Sequence, residues 1–365
     1  MKILLINSLG PKYGSTVRSR IIFKALKELG EDVWYVESNS DLDDINVFCI
    51  SQANNILSFL LASLRRAWLC FRGVYDLYII AKITPLTIFS IVTLKLMKKK
   101  FIVDCDDLDS EFQSTNFRKK ISSFLEKKVP RRLPRITTHN NYLTYYLRSY
   151  KAREVNILPQ CIDTDIFDPG LYDPEKIVQA KGLRGKIILT FLCTFTEGGM
   201  RDIDLILEAL KKITVKIDNT HLFFIGGGLL QEAFREKLKE AGIDDYSITG
   251  FIPQKEVAEL LAISNICLIY MRDNLGNKMR VSFKTLEYLS MNKKVIGCLT
   301  GYTKDALGEF CTLSNFNPQS LSQEIIKAID SKDFSAKPHA REHIIANFSY
   351  HTLKEKLREI IDSYR

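Results

Sequence analysis

Between Arg280 and Leu289 the chain reads Arg-Val-Ser-Phe-Lys-Thr-Leu-Glu-Tyr-Leu, a helix opened by a hydroxyl residue and carrying one carboxylate. Ser282 suits an N-cap, because its oxygen can accept from an amide of the first turn. The amides left over, the positive end of the helix dipole and the cations Lys278, Arg280 and Lys284 make a site for an anion, and a diphosphate is the obvious one. Glu287 stands about one and a half turns into the helix, where it can accept from ribose hydroxyls beside that phosphate. The same spacing also describes an ordinary amphipathic helix with Leu286 and Leu289 inward and Glu287 in water.

Other segments can do related chemistry. Asp104-Cys105-Asp106-Asp107-Leu108-Asp109-Ser110-Glu111 holds five carboxylates directly after an apolar run. At a strand end, Asp106 and Asp107 can bind sugar hydroxyls, orient an acceptor or stabilise developing positive charge, while Asp109 and Glu111 also fit a solvated loop. A metal is not expected, since calcium-loop spacing and a supporting histidine are both missing. Ser8 to Thr16 is a glycine loop feeding a helix with Val17, Ile21, Ala25 and Leu29 on its apolar face, so Gly14 and Ser15 can approach a phosphate or a sugar. The loop lacks a full dinucleotide fingerprint, which argues against NAD. Gly226-Gly227-Gly228 follows an apolar run and suits close approach to a base and ribose, and Gly250-Phe251-Ile252-Pro253 has the form of a loop that reads a base edge. Thr196 to Asp202 reads as a glycine loop ending in Arg201, which can clamp a phosphate or simply sit in solvent at a helix start. His139 follows a strand-like run and can contact substrate, although a lone histidine is more often structural.

These residues need elements to hold them. Apolar runs at Ile3–Ile6, Val33–Val36, Leu77–Ile80 and Phe101–Val103, then at Ile187–Leu192, Leu222–Ile225, Ile266–Ile269 and Val295–Ile296, alternate with helix-length intervals. That alternation predicts an α/β chain of two parallel sheets built from βαβ units, with functional residues in the loops after the strands. A stretch rich in Asp and Pro, from Pro159 to Gly170, separates the two series. The expected domains are residues 1–165 and 166–344, with an amphipathic C-terminal helix over about 345–365 packing back on the first.

At 365 residues, with 46% hydrophobic and 26% charged residues, the chain is long enough for two cores and has no apolar run that spans a membrane. Its start reads as a buried strand rather than a signal peptide, which predicts a cytoplasmic protein. Eight scattered cysteines read as reduced core thiols. The formal charge of +9 is concentrated in part between Arg118 and Arg135, where eight Lys or Arg residues meet only Glu126. Such a surface attracts anionic lipid, nucleic acid or phosphorylated metabolites alike. The stretch Ile56–Arg72, with Trp68 and Phe71 beside Arg72, has the composition of an interfacial helix, and equally of a helix packed on the sheet.

Taken in order, the segments resemble the retaining glycosyltransferases of family 4, whose GT-B fold has two Rossmann-like domains facing across a cleft. Ile157 to Pro169 is similar to the family's interdomain motif, Phe224 to Gly228 to its "vGdGp", Gly250 to Pro253 to its "G.v" loop and Ser282 to Ile296 to its "S.K..Eyla.GkPVi". The resemblance makes Glu287 the donor-ribose ligand, puts Arg201 where the family has a phosphate-binding lysine, and puts Gly14-Ser15 at the N-terminal glycine pair. The chain departs from the family at Met279, where many members carry a first glutamate, at Gln160-Cys161 in place of Asn-Gly, and at Asp106 in place of a histidine.

The resemblance implies a retaining hexosyltransferase-like enzyme that moves a sugar from a nucleotide diphosphate sugar to a glycan or lipid-linked acceptor in cell-envelope polysaccharide or glycolipid synthesis. No metal and no other cofactor is implied. Asp106, Asp107, Arg201 and Lys284 are the expected catalytic residues; Gly14, Ser15, His139, Gly226, Gly227, Phe251, Ile252, Ser282 and Glu287 are the expected substrate contacts. The expected partners are the donor, the acceptor and an anionic membrane surface at the inner face of the cell membrane, with no nucleic acid. A GT-B sugar-nucleotide epimerase and a non-catalytic binding relative remain open alternatives.

Overall fold

The structure is a computed structural model describing every residue except 12, 13, 54, 114 and 215–218. Two of these, Lys12 and Tyr13, belong to the first glycine loop. Contacts divide the chain into Met1–Gln160 with Tyr350–Arg365, and Cys161–Ser349.

In the first unit the strands are β1 (Lys2–Ile6), β2 (Asp32–Ser38), β3 (Val47–Ile50), β4 (Leu77–Ala81), β5 (Phe101–Cys105), β6 (Ile136–Thr138) and β7 (Val155–Ile157). The helices are α1 (Gly14–Glu28), α2 (Ile56–Arg72), α3 (Ile88–Leu96), α4 (Asn116–Lys128) and α5 (Asn141–Ser149). The sheet runs in the order β3-β2-β1-β4-β5-β6-β7, and all its pairings are parallel.

The second unit has α6 (Pro174–Ala180), β8 (Ile187–Leu192), α7 (Glu197–Thr214), β9 (Thr220–Ile225), α8 (Gln231–Glu240), β10 (Tyr246–Ile248) and α9 (Gln254–Ala262). It continues with β11 (Ile266–Tyr270), α10 (Leu275–Met279), α11 (Phe283–Ser290), β12 (Lys294–Cys298), α12 (Gly301–Leu307), β13 (Thr312–Leu313), α13 (Pro318–Asp330) and α14 (Ala340–Phe348). Its sheet has the order β10-β9-β8-β11-β12-β13, again parallel.

Alternation along these strands explains why they read as unbroken apolar runs. On one face Ile188, Leu192, Phe223, Ile225, Cys267 and Ile269 enter one core, and on the other Leu189, Phe191, Leu222, Phe224, Ile266 and Leu268 enter a second. A parallel sheet covered by helices on both sides needs apolar residues at successive positions.

The last helix, α15 (Tyr350–Asp362), buries Leu353, Leu357, Ile360 and Ile361 and lies against α1, where Lys354 pairs with Glu28 at 3.1 Å. The expected inner face of α1 is only partly right. Val17 is exposed, and the buried residues are Thr16, Arg18, Ser19, Ile22, Phe23, Ala25 and Leu26, because the helix turns three polar residues inward beside its apolar ones. All eight cysteines are free, and the expectation of core thiols fails for Cys49, which is exposed on the short strand β3.

Candidate functional site

In the second sheet, β8 and β11 are neighbours while the chain leaves them in opposite directions, to β9 and β10 on one side and to β12 and β13 on the other. This is the switch point of a doubly wound sheet, where a crevice opens outside the carboxyl ends of the strands. Arg272, two residues past β11, ties its two sides together: Nε donates to Asp202 of α7 at 2.6 Å and Nη2 lies 3.5 Å from the Gly198 carbonyl. Sequence reading passed over this arginine, since its partner is 70 residues away.

Helix α11 begins at the switch point. The Ser282 hydroxyl accepts the Thr285 amide at 3.3 Å, and the Ser282 amide donates to Thr303 Oγ1 at 3.1 Å. Thr303 Oγ1 in turn donates to the Arg280 carbonyl at 2.8 Å, so the entry turn is braced by α12. Thr285, Leu286, Tyr288 and Leu289 are buried, and the Tyr288 hydroxyl accepts the Leu192 amide at 2.7 Å. Anchored in this way, the helix leaves Lys284 and Glu287 half-buried on its remaining face. Burial pushes the Glu287 carboxyl up to about 7, offset in part by the Lys284 charge. Burial likewise lowers the Lys284 ammonium, whose Nζ stands 4.7 Å from the centre of the Phe191 ring. Both charged forms are therefore costly as they stand, and a diphosphate beside Lys284 and hydroxyls on Glu287 would relieve both. Of the other nearby cations, Lys278 pairs with Asp273 at 2.9 Å.

The residues read as a glycine loop before Arg201 are helical. Helix α7 starts at Glu197, and Gly199 is needed because a Cβ there would stand 2.0 Å from the Thr194 carbonyl oxygen. Arg201 is exposed in the second turn of that helix. The glycines after β9 answer first to the protein itself. A Cβ on Gly226 would stand 1.8 Å from the Cys193 carbonyl oxygen, and one on Gly227 would be 2.9 Å from the Phe251 ring. Phe251 is 79% exposed, while Ile252 packs partly on the core.

In the first unit, carboxylates gather around cations that sequence reading did not single out. Lys82, just past β4 and with a φ of 69° that is uncommon for a residue bearing a Cβ, is buried. Its Nζ lies 2.8 Å from Asp109, 3.1 Å from Asp106 and 3.9 Å from Asp107. Burial opposes the Asp106 charge, but Lys82 and Arg18 outweigh it and hold the carboxyl below its ordinary value. Asp107 is the most exposed of the three. Arg18, also buried, forks onto Asp104 at 2.8 and 3.0 Å and reaches Gln160 Oε1 at 2.8 Å. The departure at Gln160 thus supplies an internal acceptor. Glu126 accepts the Ser110 amide and hydroxyl at 2.8 and 2.6 Å, and burial lifts its carboxyl to about 7.

Gly14 opens α1 and Ser15 is half-buried. His139 is buried, with Nε2 3.0 Å from Asn140 Nδ2, and burial followed by the Arg18 charge lowers it to about 3. Its ring is buried and held neutral. Among the described residues no group of three or more His, Cys, Asp or Glu side chains is placed to hold a metal.

The chain matches known GT-B structures over its whole length. Sucrose-phosphate synthase of Thermosynechococcus elongatus superposes with a TM-score of 0.79 at 14% identity, covering 100% of this chain and 98% of that one. HepE of Anabaena, solved in complex with UDP and glucose, gives 0.77 at 13% and covers 100% of both. A glycosyltransferase from Rickettsia africae gives 0.71 at 18%, covering 100% and 97%. No curated protein sequence matches the chain with significance. The fold is thus GT-B. Residues 186–331, which carry the switch point and α11, match the model of the family glycosyl transferases group 1, and together with the fold this makes the protein a glycosyltransferase.

Proposed function

We propose that this enzyme transfers a sugar, with retention at the anomeric carbon, from a nucleotide diphosphate sugar to a glycan or lipid-linked acceptor in cell-envelope polysaccharide or glycolipid synthesis. The observation that carries the reading is the placement of Lys284 and Glu287 together, both half-buried, on the Ser282-capped helix at the switch point. Lys284, Arg201 and the free amides after Ser282 neutralise the leaving diphosphate, which is the main charge to be stabilised. No metal is required for that step. Glu287 accepts from the ribose hydroxyls. Gly226, Gly227, Phe251 and Ile252 border the base, whose binding by HepE as UDP supports a nucleotide here.

In the first unit the acceptor meets the loops after β1 and β5. Gly14 and Ser15 border it, and Asp107 faces it while Asp106 holds Lys82 in place. The second unit, Cys161–Ser349, holds the donor. The enzyme works in the cytoplasm, at the inner face of the cell membrane when the acceptor is lipid-linked.

Incubation with UDP-, GDP- and ADP-sugars and a bacterial lipid extract tests this. Acceptor-dependent release of the nucleoside diphosphate, with the anomeric configuration retained and activity lost in Lys284→Ala, is expected. Conversion of the sugar without nucleotide release, or inversion, would sink the reading.

A further inference from the structure

Helix α2 is inside out. The residues it buries are Ala62, Ser63, Arg66 and Cys70, small or polar, while its outward stripe is Leu57, Leu60, Leu61, Leu64, Trp68 and Phe71. Leu57 is 69% exposed, Trp68 55% and Phe71 60%. An apolar stripe normally faces the core, so one facing outward marks a surface made to be covered. The stripe continues onto α3, which packs beside α2 and exposes Phe89, Val92 and Leu96. A shallow depression of about 600 Å³ runs across the two, lined by Leu61, Leu64, Trp68, Phe71 and Thr93.

The charge around it selects the occupant. From Ala53 to Val103 the sequence holds one acidic residue, Asp76, against eight Lys or Arg. Arg66 and Lys82 are buried, while Arg65 lines the depression, Arg72 lies 5.2 Å from the centre of the Trp68 ring, and Lys95 and Lys98 to Lys100 stand at the end of α3 and just beyond it. A second copy of the chain would bring these cations against their own kind. An anionic surface neutralises them, and leucines with aromatic residues beside arginine are suited to the boundary between headgroups and acyl chains.

We propose that the outer face of α2 and α3 docks on an anionic lipid bilayer. The inner side of α2 supports the orientation. Arg66, wholly buried, donates to Ser38 Oγ at 2.5 Å and reaches the Ser8 carbonyl at 3.4 Å, at the carboxyl ends of β2 and β1. The lipid surface then lies roughly one helix diameter, about 10 Å, from the loop after β1. This deepens the lipid-acceptor part of the proposed function and rests on it for its purpose, though not for its physics.

The test is flotation of the full chain with vesicles of phosphatidylcholine alone or mixed equally with phosphatidylglycerol. Binding to the mixed vesicles is expected, with little to phosphatidylcholine alone. The double variant Trp68→Ser with Phe71→Ser should lower partitioning by roughly tenfold or more. Arg65→Gln and Arg72→Gln should lower it by about fivefold each. These side chains are exposed, so melting temperature and the thermal shift with nucleotide should stay unchanged; a nucleotide shift that is absent in all forms would count against the donor site and not against docking. Absence of vesicle binding, equal binding to both vesicle types, or equal binding by the variants would overturn the proposal. Dimerisation abolished by the same substitutions, without vesicle binding, would assign the face to a second copy instead.

Discussion

The Tyr288 hydroxyl accepts the backbone N–H of Leu192 at 2.7 Å, fastening α11 to the last residue of β8 one position away from Glu287. Tyr288→Phe keeps the ring and removes the acceptor, leaving a buried amide without a partner, at a cost of about 1–3 kcal/mol. Calorimetry should show the melting temperature falling by roughly 2–4 °C for each kcal/mol lost. An unchanged melting temperature would mean that the contact does not anchor the helix.

The fork of Arg18 onto Asp104 joins α1 to β5 inside the first unit. Breaking a buried ion pair from one side leaves a charge with no partner, so Arg18→Leu should cost about 3–5 kcal/mol in denaturant unfolding. The double variant with Asp104→Leu should recover part of that loss, because no lone charge remains.

Lys82 holds Asp106 ionised, so that carboxylate contributes stability present above its unfolded value and lost as pH falls through the lowered one. In Lys82→Met the sign reverses. Asp106 and Asp109 are then buried without their cation, their values rise, and stability is lost as pH rises. Unfolding of this variant compared with wild type should show the larger deficit at pH 8 and a smaller one near pH 4.

Glu287 is raised from 4.5 to about 7 in the folded chain. A raised carboxyl contributes stability that is complete below pH 4.5 and is lost as pH climbs to about 7. Glu287→Gln should remove that slope and stabilise the protein by about 1–2 kcal/mol at pH 8, after allowance for the group's partial exposure. A wild-type stability curve without this fall would show that the carboxylate is solvated.

The strands of both sheets that are buried on two faces were legible as apolar runs, and the N-cap at Ser282 was legible because capping is a local interaction. Short edge strands such as β10 and β13 were not, since two or three partly exposed residues carry no period. Long-range polar partners were equally hidden. Nothing local marks Arg272 for Asp202 or Lys82 for Asp109, and the acidic run after β5 looked available to substrate while Asp106 and Asp109 were already committed to a lysine. The three glycines after β9 signalled a close approach correctly, but the approaching atoms are those of the chain itself. Helix α2 was recognised as interfacial in composition, while its inverted burial appears only once the folded neighbours are known.

The measurement that bears most directly on the central claim is a thermal titration with UDP, GDP and ADP and their sugar conjugates, in wild type and in Glu287→Ala. A ligand held only by the folded state stabilises it by about 2.7 kcal/mol at a hundred times its Kd. The account predicts a rise in melting temperature with one nucleotide family that disappears in Glu287→Ala. No shift with any of them, or a shift that survives the substitution undiminished, would contradict a nucleotide diphosphate site on α11.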